Sequence, residues 1–246
     1  MESRLKQGKE FLATELKNWK PAEIIWLAIT VLTVLSLSLY WKDSVIGILA
    51  AVTGVLCVML TGKGKLSSYI FGFFNIMFYA YIAFQAKYYG EVMLNLLYYV
   101  PMNFVGWFAW KKHMDEQTGE VEKKRLSARN SVIVFSLTAL AILIYGWILN
   151  LLGGSLPYAD SMSTIISIAA QILCVKRYVE QWILWIIVDL VTVIMWVAAF
   201  FRGGESVATL IMWSIYLINA VIMFIKWYKE ADGLNGTEEA EAKNAV

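Results

Sequence analysis

Residues 181–201 read QWILWIIVDLVTVIMWVAAFF, an apolar run in which Asp189 is the one charged residue. The run has 21 residues, and one helix needs about 20 to cross the hydrocarbon core of a membrane. It lacks the alternation of apolar and polar residues that a membrane β-strand would have, so it predicts a transmembrane helix. A carboxylate at mid-span is costly in lipid and therefore indicates a functional position.

The rest of the chain has the same character. Hydrophobic residues make up 59% of its 246 residues and charged residues 16%, with a mean hydropathy of +0.60. We predict an all-α integral membrane protein with eight transmembrane helices, the first retained rather than cleaved as a signal peptide. The eight apolar segments are 22–41, 44–61, 67–86, 91–111, 131–152, 159–175, 181–201 and 206–228.

The segment around Asp189 repeats an earlier segment around Asn75, 114 residues before it. Gly-Glu follows each polar residue at the same distance, at 90–91 and at 204–205. Segments two to four and six to eight would then form two repeats of three helices. Because three is odd, one linking helix must return the second repeat to the same orientation. This predicts a 1 + (3+1+3) plan with two parallel repeats, and such repeats usually enclose a substrate site near the bilayer midplane.

This plan divides the chain into six parts. They are a cytoplasmic amphipathic segment 1–20, an extra transmembrane helix 21–42, the first repeat 43–112, a cytoplasmic loop and linker helix 113–153, the second repeat 154–228 and a disordered cytoplasmic tail 229–246.

Orientation follows from the lysines and arginines. Eighteen lie on one side of the eight spans, and the other side has only Lys42, Lys87 and Arg202. Such residues concentrate in cytoplasmic loops, so both termini are predicted to be cytoplasmic.

Several function classes find no support in the sequence. A net charge of +2 gives no argument for nucleic acid. The single histidine, His113, belongs to no metalloprotease motif, and neither a nucleophile elbow nor a phosphate-binding loop is present. We therefore predict no catalytic residues, no metal site and no cofactor. An integral membrane enzyme with Asp189 as general base is the alternative of another class, although no second catalytic group lies at comparable depth.

Polar and aromatic side chains at helical spacing are the candidate binding residues. Trp182, Trp185 and Asp189 share one face of the seventh segment. The other candidates are Asn75 and Tyr79 on the third segment, Tyr99, Asn103 and Trp107 on the fourth, Gln171 on the sixth, and Trp213, Tyr216 and Asn219 on the eighth.

Together these side chains supply amides, phenols and indoles without a fixed cation. Such a lining suits a flat ring that bears hydroxyl and amide groups. The competing interpretation is that Asn and Tyr join helix to helix and that Trp182 belongs to the interfacial aromatic belt.

Pro101 lies in the middle of the fourth segment. A proline there frees a carbonyl and bends the helix, so a hinge is one interpretation and packing alone is the other.

Three motifs resemble those of a known family, and they occur in the same order as in that family. They are YIFGFFN at 69–75, NFVGWFAW at 103–110 and KRYVEQWILW at 176–185. Over about residues 44–228 the chain resembles the PnuC family of vitamin transporters. The resemblance implies a fold like that of the SWEET sugar transporters, in the bacterial cytoplasmic (inner) membrane.

The resemblance also implies a substrate, nicotinamide riboside, which is a precursor of NAD. The implied mechanism is facilitated diffusion, with a cytoplasmic nucleoside kinase phosphorylating the arriving substrate and so trapping it. Relatives that carry thiamine or riboflavin leave those vitamins as alternatives. Besides this substrate, membrane lipid is an expected partner, and a homo-oligomer stays open.

The implied substrate fits the candidate residues. Aromatic rings and Asp189 could stabilise its pyridinium ring, while Asn75, Asn103 and Asn219 take its amide and hydroxyls. We expect the ligand between Asn75 and Asp189. Family members often have Asn where this chain has Asp189, so a proton-coupled symporter is a further alternative.

Overall fold

A computed structural model describes residues 2–85, 87, 92–153, 157–201 and 207–244. These residues are almost entirely helical. The helices are α1 (Glu2–Glu15), α2 (Pro21–Tyr40), α3 (Val45–Lys63), α4 (Ser68–Gln85), a π-helical turn (Leu94–Tyr99), α5 (Val100–Lys111), α6 (Ala128–Leu151), α7 (Pro157–Val175), α8 (Gln181–Phe201) and α9 (Val207–Asn244). The repeated Gly-Glu pairs and Arg202 lie outside the described residues.

Within the described residues, four helices are long and apolar enough to cross a membrane. These are α2, α3, α6 and α7, and α8 contains a shorter apolar stretch, Gln181–Ile194. Large apolar side chains on α6 are exposed, among them Leu137 at 61%, Leu143 at 60% and Leu151 at 65%. An apolar surface of this kind is suited to contact with lipid chains rather than water.

The helix ends use the expected local chemistry. The Ser44 hydroxyl accepts a hydrogen bond from the Gly47 N–H at the start of α3. Ser127 accepts one from the Asn130 N–H at the start of α6. Because α3 ends in a left-handed turn, Gly64 takes a φ of +78° there without strain. Pro21 opens α2, where no N–H is needed.

The last helix is longer than the sequence predicted. The segment 229–246 was expected to be disordered, but α9 continues to Asn244. Its last residues, EEAEAKN, are rich in Glu, Ala and Lys, which are strong helix formers.

The irregularity expected at Pro101 takes the form of a π-helical turn. The turn, Leu94–Tyr99, lies just before the proline, and the Val100 N–H donates to the Asn95 carbonyl. Pro101 has no N–H to give to the carbonyl four residues earlier, so the hydrogen-bond register changes in this turn.

The chain forms two compact units. The first is Met1–Glu122 with Ser206–Tyr216, and the second is Lys123–Glu205 with Leu217–Val246. Val34, Val55 and Met59 form a buried core in the first unit. The core of the second contains four residues, Ile166, Ala170, Leu173 and Leu184. These units do not coincide with the predicted repeats, since α6, the expected linker, belongs to the second unit.

Two buried lysines fix the N-terminal segment within the first unit. Lys65 is fully buried, and its Nζ donates to the carbonyls of Lys17 and Gly119, each at 2.9 Å. Lys63 forms ion pairs with Glu23 at 2.6 Å and Glu120 at 2.9 Å. A buried ammonium is tolerated only with partners of this kind. The segment around residue 17 is therefore tied to the loop that follows α5.

Candidate functional site

The predicted binding residues are divided between the two units, and each set has its own surroundings. In the first unit, Asn75 on α4 donates from Nδ2 to the carbonyl of Ala50 on α3 at 2.8 Å. A Cβ atom at Gly54 would lie 2.8 Å from Asn75 Nδ2 and 3.0 Å from the Tyr216 hydroxyl. Gly54 thus allows an amide and a phenol to approach the same point on α3. Trp213 packs edge-on against Tyr216, with ring centroids 5.6 Å apart.

Asn103 on α5 lies close to the same helix α4. It is 7% exposed. A Cβ atom at Gly72 would lie 2.9 Å from Asn103 Nδ2 and 3.1 Å from Cys57 Sγ. Gly72 and Asn75 are three residues apart on α4 and so share a face. The first unit therefore brings Asn75 and Tyr216 to the same point on α3, and Asn103 to a position one turn away from Asn75 along α4.

The other three candidates of the first unit have neighbours of their own. Tyr79 is 47% exposed. Tyr99 packs edge-on against Tyr98, and Trp107 packs against Phe11 of α1 with centroids 6.1 Å apart. For these three side chains a role in binding stays a prediction.

In the second unit, Asp189 lies on α8 and is only 5% exposed. No described residue forms an ion pair or hydrogen bond with its carboxylate. Trp185, one turn earlier, packs against the apolar cluster of α7 and α8. Because a buried, unpaired carboxylate is costly, this position needs a partner that the described residues do not supply.

Asn219 on α9 is one of two buried amides, with Gln181 at the start of α8, that have no hydrogen-bond partner among the described residues. It is 1% exposed, and neither its amide nitrogen nor its amide oxygen has a hydrogen-bond partner among the described residues. Each such group costs about 1–3 kcal/mol when it is buried without a partner. Native structures rarely leave a buried amide in this state, and a binding role for Asn219 stays a prediction.

The remaining candidates of the second unit are Trp182 and Gln171. Trp182 is 2% exposed and packs edge-on against Trp227, with centroids 5.8 Å apart. Within the described part of the chain, its indole N–H also lacks a partner. Trp182 therefore lies in the interior of the unit rather than on the exposed surface that an interfacial belt requires. Gln171 is half-buried on α7.

The sequence analysis did not identify two glycines that allow the asparagine side chains to approach neighbouring helices closely. Gly54 and Gly72 carry no chemistry, but each allows an asparagine amide to come within contact distance of a helix backbone. The available signal was the spacing of small residues, since Ala50 and Gly54 are four apart on α3.

Metal binding finds no candidate in the described part of the chain. The described residues contain no group of three or more His, Cys, Asp or Glu that could hold a metal ion.

Comparisons with known proteins give a consistent answer. A family model described as nicotinamide mononucleotide transporter matches residues 44–229. A nicotinamide riboside transporter PnuC from Neisseria mucosa is 41% identical over 217 residues, which are 86% of this chain and 82% of that protein. One from Haemophilus influenzae is 34% identical over 92% of this chain and 96% of its own.

A solved structure is also similar. The crystal structure of the vitamin B3 transporter PnuC is 39% identical in sequence and superposes with a TM-score of 0.78. The match covers 90% of this chain and 97% of that one. The similarity in sequence and the similarity in fold therefore indicate the same family relationship.

Proposed function

The chain belongs to the PnuC family of nicotinamide riboside transporters, and from this premise we propose how its residues carry the substrate. The protein is a multi-pass membrane transporter for uptake of nicotinamide riboside, and it is not an enzyme. Transport proceeds by facilitated diffusion with alternating access. A cytoplasmic nucleoside kinase phosphorylates the arriving riboside, and the added charge prevents its return.

The membrane arrangement is part of this proposal. Eight helices cross the bacterial inner membrane in a 1 + (3+1+3) plan like that of the SWEET transporters. Both termini are cytoplasmic, which the distribution of 18 lysines and arginines against 3 supports.

Local geometry within each unit supports a repeat. Tyr69 packs edge-on against Trp110 at 5.1 Å in the first unit, and Trp182 packs edge-on against Trp227 at 5.8 Å in the second. Tyr69 and Trp182 both lie near the start of a helix, α4 and α8, and are 113 residues apart.

The ends of α3 and α7 support the same spacing. Gly64 and Arg177, also 113 residues apart, both take left-handed φ values, +78° and +67°. At this spacing the equivalent of Asn75 is Val188 rather than Asp189. Asp189 is thus one residue beyond the position equivalent to Asn75, and one residue corresponds to about 100° around a helix. Asn75 and Asp189 would therefore lie on different faces of their repeats, which suits a substrate without symmetry.

The observation that carries the binding proposal is the buried, unpartnered amide of Asn219. The substrate has a primary carboxamide, which can donate to Oδ1 and accept from Nδ2 in one reciprocal pair. Asp189 then balances the charge of the pyridinium ring, and Trp185 supplies an aromatic face for it.

The other candidates complete the proposed site. Asn75, Asn103 and Tyr216 take the ribose hydroxyls, since amides and phenols both donate and accept. The remaining members are Tyr79, Tyr99, Trp107, Gln171, Trp182 and Trp213, which supply aromatic and polar surface.

Uptake into proteoliposomes tests the choice of substrate. Purified protein is reconstituted without any ion gradient and offered labelled nicotinamide riboside, thiamine or riboflavin in parallel. We expect saturable entry of nicotinamide riboside above that of protein-free liposomes, with little competition from the other two vitamins. Faster entry of thiamine or riboflavin would assign the chain another substrate.

Proton-coupled symport is a second candidate, and the buried carboxylate of Asp189 favours it because a carboxylate can take up and release a proton. Asp189→Asn separates the two mechanisms. Under an imposed pH gradient, symport requires that wild type accumulate substrate and that the variant lose this accumulation. Facilitated diffusion requires that neither accumulate substrate above the external concentration.

A further inference from the structure

A cavity of about 550 Å³ lies within the second unit, and none of the residues that line it is assigned to substrate. It is formed at the N-terminal end of α6, with walls from α8 and α9. Phe135, Ile183 and Phe224 line its apolar part, while Arg125 and Glu180 lie at its polar part. The cavity is therefore amphipathic, and it opens beside the start of a helix that is long and apolar enough to span a membrane.

The polar part contains a carboxylate that is only half satisfied. Glu180 is 6% exposed, and its Oε1 accepts a hydrogen bond from the Leu126 N–H at 3.1 Å. Its Oε2 is buried and has no partner among the described residues. Burial raises the pKa of this carboxyl, while the N–H groups of Glu180 and Leu126 and the charge of Arg125 oppose the rise. A ligand with a cationic N–H donor would satisfy the free oxygen.

The same cavity also offers positive charge. The Arg125 guanidinium lies 4.1 Å from the centre of the Tyr228 ring and donates to Asp232 Oδ1 at 2.8 Å. A guanidinium has five N–H groups, so Arg125 can also donate to an anionic ligand. The first turn of α6, which begins at Ala128, carries no acidic residue. Its N-terminal amides therefore add to the attraction for an anion.

We propose that this cavity binds the headgroup of an aminophospholipid such as phosphatidylethanolamine. The ammonium group donates to Glu180, and the phosphate lies against Arg125 and the N-terminus of α6. The acyl chains extend over Phe135, Ile183 and Phe224. A lipid fits better than a soluble zwitterion because the polar groups continue directly into this apolar surface.

Lipid retention measured by native mass spectrometry tests the proposal. The full-length protein is exchanged into micelles with equal amounts of phosphatidylethanolamine, phosphatidylcholine and phosphatidylglycerol of matched acyl chains. We expect wild type to retain phosphatidylethanolamine about tenfold over phosphatidylcholine, whose ammonium has no N–H to donate. Equal retention of these two lipids would overturn the proposal, and so would a preference for phosphatidylglycerol.

Variants identify the residues responsible. Glu180→Gln should reduce the preference over phosphatidylcholine to near one, and Arg125→Gln should lower retention of all three lipids. Glu116→Gln, an exposed carboxylate outside the cavity, is the matched control and should retain the wild-type preference. If Glu180→Gln keeps the preference, the assigned contact is wrong.

A series of lipids makes the test independent of folding in the variants. Monomethyl and dimethyl phosphatidylethanolamine remove one N–H donor at a time, so wild-type retention should fall with each methyl group. Retention that does not depend on methylation would contradict the proposal. Soluble glycerophosphoethanolamine should not displace the bound lipid, and displacement would assign the cavity to a free zwitterion instead. None of these outcomes depends on whether the protein transports nicotinamide riboside.

Discussion

Two asparagines assigned to the same substrate have opposite surroundings. Asn75 already donates to the Ala50 carbonyl, whereas Asn219 has no partner for either amide atom among the described residues. A hydrogen bond between membrane helices contributes about 0.6 kcal/mol on average. An unsatisfied buried amide costs about 1–3 kcal/mol until a ligand pairs with it.

This difference predicts opposite effects of leucine substitutions. Asn219→Leu should leave the Tm of the substrate-free protein unchanged or raise it, because an unsatisfied amide is removed. Asn75→Leu should lower that Tm, because a hydrogen bond is lost. Nicotinamide riboside should raise the Tm of wild type but not of Asn219→Leu. Thermal unfolding with and without substrate measures this, and a strongly destabilised Asn219→Leu would mean that the amide has a structural role.

Gly54 provides a second test at this scale. An alanine Cβ there would lie 2.8 Å from Asn75 Nδ2, closer than real side chains approach, so the amide or Tyr216 must move. We expect Gly54→Ala to weaken substrate affinity about tenfold, which corresponds to about 1.4 kcal/mol. Gly8→Ala, where no atom lies within 4 Å, is the control. Titration of tryptophan fluorescence measures affinity, and unchanged binding in Gly54→Ala would remove Asn75 and Tyr216 from the site.

The sequence predicted these residues only in part. Polarity at mid-span identified Asn75, Asn103, Asp189 and Asn219, because such groups are rare in lipid. It could not distinguish a satisfied amide from an unsatisfied one, since that depends on which backbone carbonyl another helix presents. The same limit applies to Trp107, whose neighbour Phe11 belongs to a distant part of the chain.

At the scale of helices, the eight apolar segments predicted the positions of the helices from α2 to α9 well. Pro101 predicted a disturbance in the fourth segment, but not that it would be a π-helical turn placed before the proline. The prediction of a disordered tail at 229–246 took polarity as a sign of disorder. The structure instead continues α9 to Asn244, and the Glu, Ala and Lys content of this segment favours a helix.

The π-helical turn leads to a prediction for Pro101→Ala. Alanine restores an N–H, so the segment can return to regular α-helix, and residues before the turn would rotate by about 100° relative to Asn103. We expect the variant to remain folded, with uptake of nicotinamide riboside reduced severalfold. Pro21→Ala is the matched control, because Pro21 opens α2 and replaces no hydrogen bond. Wild-type uptake in Pro101→Ala would mean that the turn only shapes packing.

At the scale of the whole molecule, the charge distribution predicts which residues face the cytoplasm. Cys57 and Cys174 are free thiols, so a background with both replaced by alanine leaves no native cysteine. Single cysteines at Lys42 and His113, both exposed, then report the two sides. An impermeant maleimide added to intact cells should label Lys42→Cys and should reach His113→Cys only after permeabilisation. The reverse pattern would invert the proposed topology.

Composition and repeats predicted the class of the molecule, and the resemblance predicted its family. They could not predict the two compact units, because α6 packs with α7 and α8 through the apolar contacts of Val134, Phe135 and Ile142. Those contacts depend on which face each helix presents, and an apolar helix in lipid carries little record of that in its sequence.

The level that uptake finally reaches tests the central claim most directly. Proteoliposomes without an ion gradient are given labelled nicotinamide riboside, and internal and external concentrations are compared after entry stops. Facilitated diffusion predicts equal concentrations, with internal label rising above the external level only when a nucleoside kinase and ATP are enclosed. Entry no greater than in protein-free liposomes, or accumulation above the external level without the kinase, would contradict the account.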